Sequence, residues 1–229
     1  MKHAVIIFCS FLLLTTCLSA QKNEPVIVKA GTRVQDYFPL QERYRYPEFI
    51  TGQVFFKNGA NSVTKLNYNF LPGEMEYIQM KDTLSIANVT DIRLITIAGD
   101  TFYYDKGYLE LIYGGRVKVA LKQYIKLKEV QKKDSYGSSG SNSATDSYSS
   151  FQANGKTYKL ISNQDRVYQK TSEYYLATPS SGFVPFTKKK VLQLFPQKKN
   201  AIQNYFKSDK IDFGSKNDLL RLADYLNKL

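Results

Sequence analysis

The chain has 229 residues, with 32 Lys and Arg against 20 Asp and Glu, a formal net charge of +12, two Cys, one His and no Trp. His3, Cys9 and Cys17 all fall within the first 20 positions. A chain that loses those positions has no Cys and no His. That excludes a disulfide framework, Ser-His-Asp and Cys-His catalysis, and zinc, copper or haem sites built on those ligands.

The N-terminus predicts that loss. Lys2 supplies a positive start, Ala4 to Leu14 form an apolar run broken only by Ser10, and Leu18-Ser19-Ala20 has the small residues of a cleavage site. This is the pattern of an export signal, cut between Ala20 and Gln21. The run is shorter than the roughly 20 residues that cross a bilayer, so the expected mature chain has no transmembrane segment. Cys17 offers the alternative of a lipid-anchored envelope lipoprotein, although Thr16 stands where a lipoprotein signal prefers Gly, Ala or Ser. The expected location is the periplasm, the outer-membrane surface or the medium.

From residue 21 the expected organisation is an antiparallel β domain over 21–131, a Ser-rich linker or loop over 132–150, and two or three strands followed by helices over 151–229. "VIVKA" (Val26 to Ala30) reads as a first strand. "DYFPLQERYRYPEF" follows, with Pro39 and Pro47 arguing against regular structure. "GQVFFKNG", "VTKLNYNF", "EMEYIQM", "DTLSIAN", "IRLITIAGDTFYYD" and "GYLELIYGG" are strand segments joined at Asn-Gly, Pro-Gly, Gly-Asp, Lys-Gly and Gly-Gly turns. With no helical period before Val130, this predicts about eight strands in a meander, forming a sandwich or a partly open barrel.

The last strand of that series, "GRVKVALKQYIKLKEV" over 115–130, has a period of two. Its odd positions Val117, Val119, Leu121, Ile125 and Leu127 are apolar, and its even positions carry Arg116, Lys118, Lys122, Lys126 and Lys128. A period of two places these five cations on one strand face, a candidate anion-binding surface. In an exported protein the partner for such a face is an anionic envelope component, a lipid headgroup or polysaccharide, or another envelope protein, rather than nucleic acid. The ordinary alternatives are solvation, or lysines that protect a sheet edge from unwanted pairing.

"KKDSYGSSGSNSATDSYSS" then breaks the pattern, and its composition predicts a mobile linker or an insertion between two strands of one sheet. "GKTYKLIS" and "DRVYQKTSEYYLA" resume the strands. The last 45 residues read as helices: Thr187 caps "KKKVLQLF", Pro196 punctuates, and Ser215 caps a helix striped by Leu219, Leu222, Leu226 and Leu229. The fold class expected is α+β: mainly antiparallel β with a C-terminal helical segment.

Two catalytic chemistries survive the missing residue types. A glycosidase needs only two carboxyl groups, for which Glu74, Glu76, Asp100, Asp105 and Glu110 are candidates. Glu74 and Glu76 would share a strand face about 7 Å apart, as any i, i+2 pair does. A Ser-Lys hydrolase has the residues but no motif. Tyr44, Tyr46, Tyr103, Tyr104, Tyr174 and Tyr175 could stack on sugars or serve as ordinary strand residues. No glycine-rich nucleotide loop and no acidic calcium loop are present, so no cofactor is expected.

The combination of "YPEFITGQVFFKNG", "LNYNFLPGEMEYI", "DTLSIAN", "DTFYYDKGYLELI", the Ser-rich break and "FTKKKVLQLFPQKKNAIQNYFKSDKIDF" resembles a family of uncharacterised exported β-rich proteins of Gram-negative bacteria. The resemblance covers the chain from about Tyr46 onward and implies an envelope or secreted location. It implies no activity and no catalytic residues. The expected function is a non-catalytic binding or structural component of the cell envelope, with a carboxylate-based glycan enzyme as the alternative.

Overall fold

The computed structural model describes residues 24–133, 139–143, 150–153, 156–159 and 164–229. The expected signal segment with Ala20 and Gln21, Cys17, and residues 134–138 and 144–149 of the Ser-rich stretch lie outside them. β1 (Val26–Val28) is followed by two single-turn helices, α1 (Val34–Tyr37) and α2 (Leu40–Arg43). Then come β2 (Ile50–Phe56), β3 (Asn61–Asn69), β4 (Glu74–Gln79), β5 (Asp82–Ser85), β6 (Ile92–Ile97), β7 (Asp100–Tyr104), β8 (Tyr108–Tyr113) and β9 (Lys118–Lys133). The second half has β10 (Ser139–Ser143), β11 (Ser150–Ala153), β12 (Lys156–Lys159), β13 (Asp165–Thr178) and β14 (Ser181–Pro185). It ends in α3 (Lys188–Leu194), α4 (Lys199–Ser208) and α5 (Lys216–Lys228).

The fold is a mainly antiparallel sheet with a C-terminal helical segment, and the sheet is open. Its strand order is β1-β13-β9-β8-β7-β6-β2-β3-β4-β5, with β10 added on β9 and β14 on β13, while β11 and β12 pair separately. The sheet curls over one face, here called the inner face. At the end of β3, the carbonyl of Phe70 accepts a bond of 2.7 Å from the Ile125 amide, and the Tyr68 hydroxyl donates to the Gln123 carbonyl at 2.7 Å. β3 therefore meets β9 although four strands separate them along the sheet.

β13 pairs with β9 from Asp165↔Gln131 to Ala177↔Lys118, so the strands before and after the Ser-rich stretch belong to one sheet. The alternation of β9 supplies two cores from its odd positions. Val117 and Val119, with Leu176 of β13, are covered by Val191, Ile202, Leu219, Leu222, Ala223 and Leu226 of the helices. Farther along, Ile125 and Leu127, with Tyr168, face the interior of the curl beside Tyr68, Phe70, Phe102 and Tyr108.

The helical layer is set by local signals. Thr187 Oγ1 accepts from the Lys190 amide, and Ser215 Oγ accepts from the Asp218 amide. Asn227 then ties the end of α5 to the sheet: its Oδ1 accepts from the Val117 amide at 2.8 Å and its Nδ2 donates to the Ala223 carbonyl at 3.0 Å.

Two expectations are corrected. The stretch before β2 contains the helical turns α1 and α2, and Pro39 is the N-cap of α2, with φ −63° and ψ 161°. A proline's fixed φ and missing amide suit the entry to a helix, so the residue that argued against regular structure starts a turn of it. The strand β14, unannounced by the sequence pattern, pairs with the end of β13.

Gly52 lies mid-sheet in β2, between β3 and β6. A Cβ there would come within 2.7 Å of the Thr96 carbonyl oxygen and 2.9 Å of Leu66 Cδ1. Gly52→Ala should therefore destabilise the fold by about 1–3 kcal/mol, read as a lower urea midpoint with an unchanged slope.

Candidate functional site

The polar groups of the inner face gather around the segment Arg43–Tyr46. β2 stops pairing with β3 at Ile50↔Leu66, and pairing resumes as a single bridge at Tyr44↔Asn69. Pro47 lies in the gap. There the Asn67 side chain replaces the missing ladder: Oδ1 accepts from the Tyr46 amide at 3.1 Å, and Nδ2 donates to the carbonyls of Tyr46 at 2.9 Å and Glu48 at 3.0 Å. Beyond the gap the Arg45 amide donates to the Tyr68 carbonyl and the Phe70 amide to the Arg43 carbonyl. The segment is thereby fixed across the end of β3.

Arg45 extends from it to a carboxylate that the sheet register places among apolar side chains. Ile95, Phe102, Glu110, Leu121 and Tyr174 are successive partners across five strands, and so share a face. Glu110 is the only ionisable carboxyl in that row, and its side chain is 14% exposed. Arg45 grips it with two parallel bonds, Nε to Oε2 and Nη2 to Oε1, both 3.0 Å, and Nη2 also reaches Asp100 Oδ2 at 3.2 Å. The Tyr46 hydroxyl donates to the same Asp100 oxygen at 2.7 Å. A planar fork held by two carboxylates is strong and geometrically specific, and each of the three charged groups has a hydrogen-bonded partner.

A second group sits at the start of β4. Glu76 is buried, its Oε2 accepting from the Tyr44 hydroxyl at 2.7 Å and its Oε1 from Asn69 Nδ2 at 3.1 Å. Burial raises its pKa above the ordinary carboxylate range, and these two hydrogen bonds pull it back in part. Glu74 makes no hydrogen bond or ion pair among the described residues. Burial, and then the charge of Glu76, push its pKa up to about 7. The neighbouring phenols of Tyr68 and Tyr108 have their pKa raised by burial and by the Glu74 charge, and the Tyr108 hydroxyl, buried, has no hydrogen-bond partner among the described residues. Lys170 Nζ lies 3.9 Å from the centroid of the Phe70 ring, and burial and then Arg45 lower its pKa.

The structure separates the other predicted residues. Asp105 occupies the β7–β8 turn, where its amide bonds to the Gly107 carbonyl, apart from both carboxylate groups. Among the described residues no group of three His, Cys, Asp or Glu side chains is placed to hold a metal ion. The six tyrosines do not form one surface. Tyr44 and Tyr46 bond to Glu76 and Asp100, Tyr103 packs on Phe183, Tyr104 on Tyr108, Tyr174 on the helix-side core, and Tyr175 donates to Glu173.

The five cations of the basic stretch have different surroundings. Arg116 is exposed ahead of β9, Lys118 Nζ lies 5.4 Å from the Tyr103 ring centroid, and Lys122 Nζ donates to the Lys106 carbonyl at 2.8 Å. Lys126 is half-buried, and Lys128 is exposed at the register shift opposite Val167/Tyr168. β9 is no edge strand: β13 runs along one side, and β8, then Phe70, then β10 along the other. The edge-protection reading of these lysines is therefore overturned.

The sequence did not single out Arg45, Asn67 or Lys170. "RYRY" beside proline and the polar alternation of "LNYNF" are the only local traces, because each residue's partner is far away in the chain.

Asn67→Ala should cost about 2–4 kcal/mol, since it strands the Tyr46 and Glu48 groups in the interior, and chemical unfolding measures it. Glu74, with its pKa raised in the fold, binds its proton more tightly there than in the unfolded chain. Its contribution is therefore fully present below about pH 4.5 and is lost as pH rises through about 7. Urea midpoints should fall between pH 5 and pH 8, and Glu74→Gln should shrink that fall. No family model, curated protein or solved structure matches the chain.

Proposed function

We propose that the protein is an exported, non-catalytic binding or structural component of a bacterial cell envelope. The observation that carries this reading is the hydrogen-bonded commitment of the inner-face polar groups: Arg45 is bound by Glu110 and Asp100, and both oxygens of Glu76 accept from neighbours. Groups committed in this way hold a fold together and do not act as a nucleophile with its base. The export signal, the missing His and Cys beyond residue 20, and the family resemblance support the same reading. No helix among the described residues is long and apolar enough to cross a membrane.

Expression of the full chain in a Gram-negative host tests it. The expected product is a periplasmic or outer-membrane-associated chain beginning at Gln21, identified by N-terminal sequencing. A cytoplasmic chain retaining residues 1–20 would falsify the reading.

Glu74 favours the second reading, a carboxylate-based glycan enzyme. A carboxyl titrating at about 7 beside a hydrogen-bonded Glu76 has the division of roles of an acid and its companion carboxylate. Under the first reading, the purified protein releases no reducing ends from peptidoglycan or acidic envelope polysaccharide. Release that disappears in Glu74→Gln and in Glu76→Gln would establish the second.

A further inference from the structure

The helical layer carries a larger uncommitted positive charge than the strand does. Residues 174–208 contain no Asp or Glu, and within them stand Lys188, Lys189, Lys190, Lys198, Lys199 and Lys207. All but the half-buried Lys190 are exposed. The four acids farther along are already engaged: Asp209 and Asp218 with Arg221, Asp224 with Lys228, and Asp212 with the Gly214 amide. None of the six lysines has an acidic partner within 4 Å among the described residues. Lys198 and Lys199 also stand at the start of α4, where the helix dipole disfavours a cation, so the fold pays for them without an internal return.

The layer behind them is rigid. Val191 of α3 and Ile202 of α4 are fully buried against the sheet, and Lys188 Nζ lies 5.2 Å from the centroid of the Phe206 ring, fixing the start of α3 against the end of α4. The aromatic side chains of the layer face inward: Tyr205 stacks on Tyr225 at 4.2 Å, and Phe206 packs on Phe213. A polysaccharide site needs free rings to stack on, and the rings of this layer are engaged with one another. The surface offers single-point ammonium charges, which match phosphate headgroups.

We infer that the α3–α4 surface docks the protein on an anionic phospholipid bilayer through Lys188, Lys189, Lys190, Lys198, Lys199 and Lys207. The inference names the partner in the envelope reading above and rests on it. The attraction is purely electrostatic, because no exposed large apolar side chain lies on this layer.

Flotation of the purified exported chain with vesicles of phosphatidylcholine alone, or mixed with phosphatidylglycerol, tests it. Binding is expected only to the mixed vesicles and should be lost between about 0.05 M and about 0.5 M NaCl. Replacing Lys188, Lys189, Lys190, Lys198 and Lys199 together with Gln should weaken it more than about a hundredfold. Lys118→Gln with Lys122→Gln and Lys126→Gln should leave it within about twofold. Absence of binding to the mixed vesicles, binding that survives the helix substitutions, or retention on heparin alone would each overturn the inference. The result is independent of the location experiment, since a chain that is not exported fails the envelope reading whether or not it binds vesicles.

Discussion

The pairing of β9 with β13 is the constraint on which the rest of the molecule depends. It runs along nearly the whole of both strands, and its inner face carries two cores in series. Neither core is complete from the sheet alone. The curl of β3 toward Ile125 closes one, and the three C-terminal helices close the other. Each half therefore stabilises the strand pair that the other half needs, although their remaining elements hardly touch.

Between these regions the inner face has to accommodate charge. Glu110 stands in a row with Ile95, Phe102 and Leu121, where an unpaired carboxylate would cost several kcal/mol. Arg45 removes that cost, but only because the Arg43–Tyr46 segment is pinned across β3 by Asn67 and by backbone bonds to Tyr68 and Phe70. The irregular entry to the sheet thus follows from a polar residue 65 positions later. Glu74 is the exception, a carboxyl whose side chain has no hydrogen bond or ion pair among the described residues.

The parts of the structure legible in the sequence are those governed by neighbours in the chain. Period-two alternation located most of the strands, and Thr187 and Ser215 marked helix starts because a cap bonds an amide three residues on. Pairing order and polar contacts between distant residues were not legible in this way. The lysines of β9 suggested an edge because alternation reveals a strand's two faces and says nothing about its two sides. Glu74 and Glu76 were identifiable as neighbours on one strand, yet their different environments came from Tyr44, Asn69 and the curl of the sheet.

The clamp made by Asn227 has a consequence for the order in which the chain can fold. α5 supplies Leu219, Leu222, Ala223 and Leu226 to the second core, and its Asn227 carboxamide satisfies the Val117 amide. A chain still being synthesised, and ending before Lys216, lacks the α5 part of the cover over Val117, Val119 and Leu176. The helix-side core is thus closed only once α5 has formed, and until then this half of the molecule stays partly open.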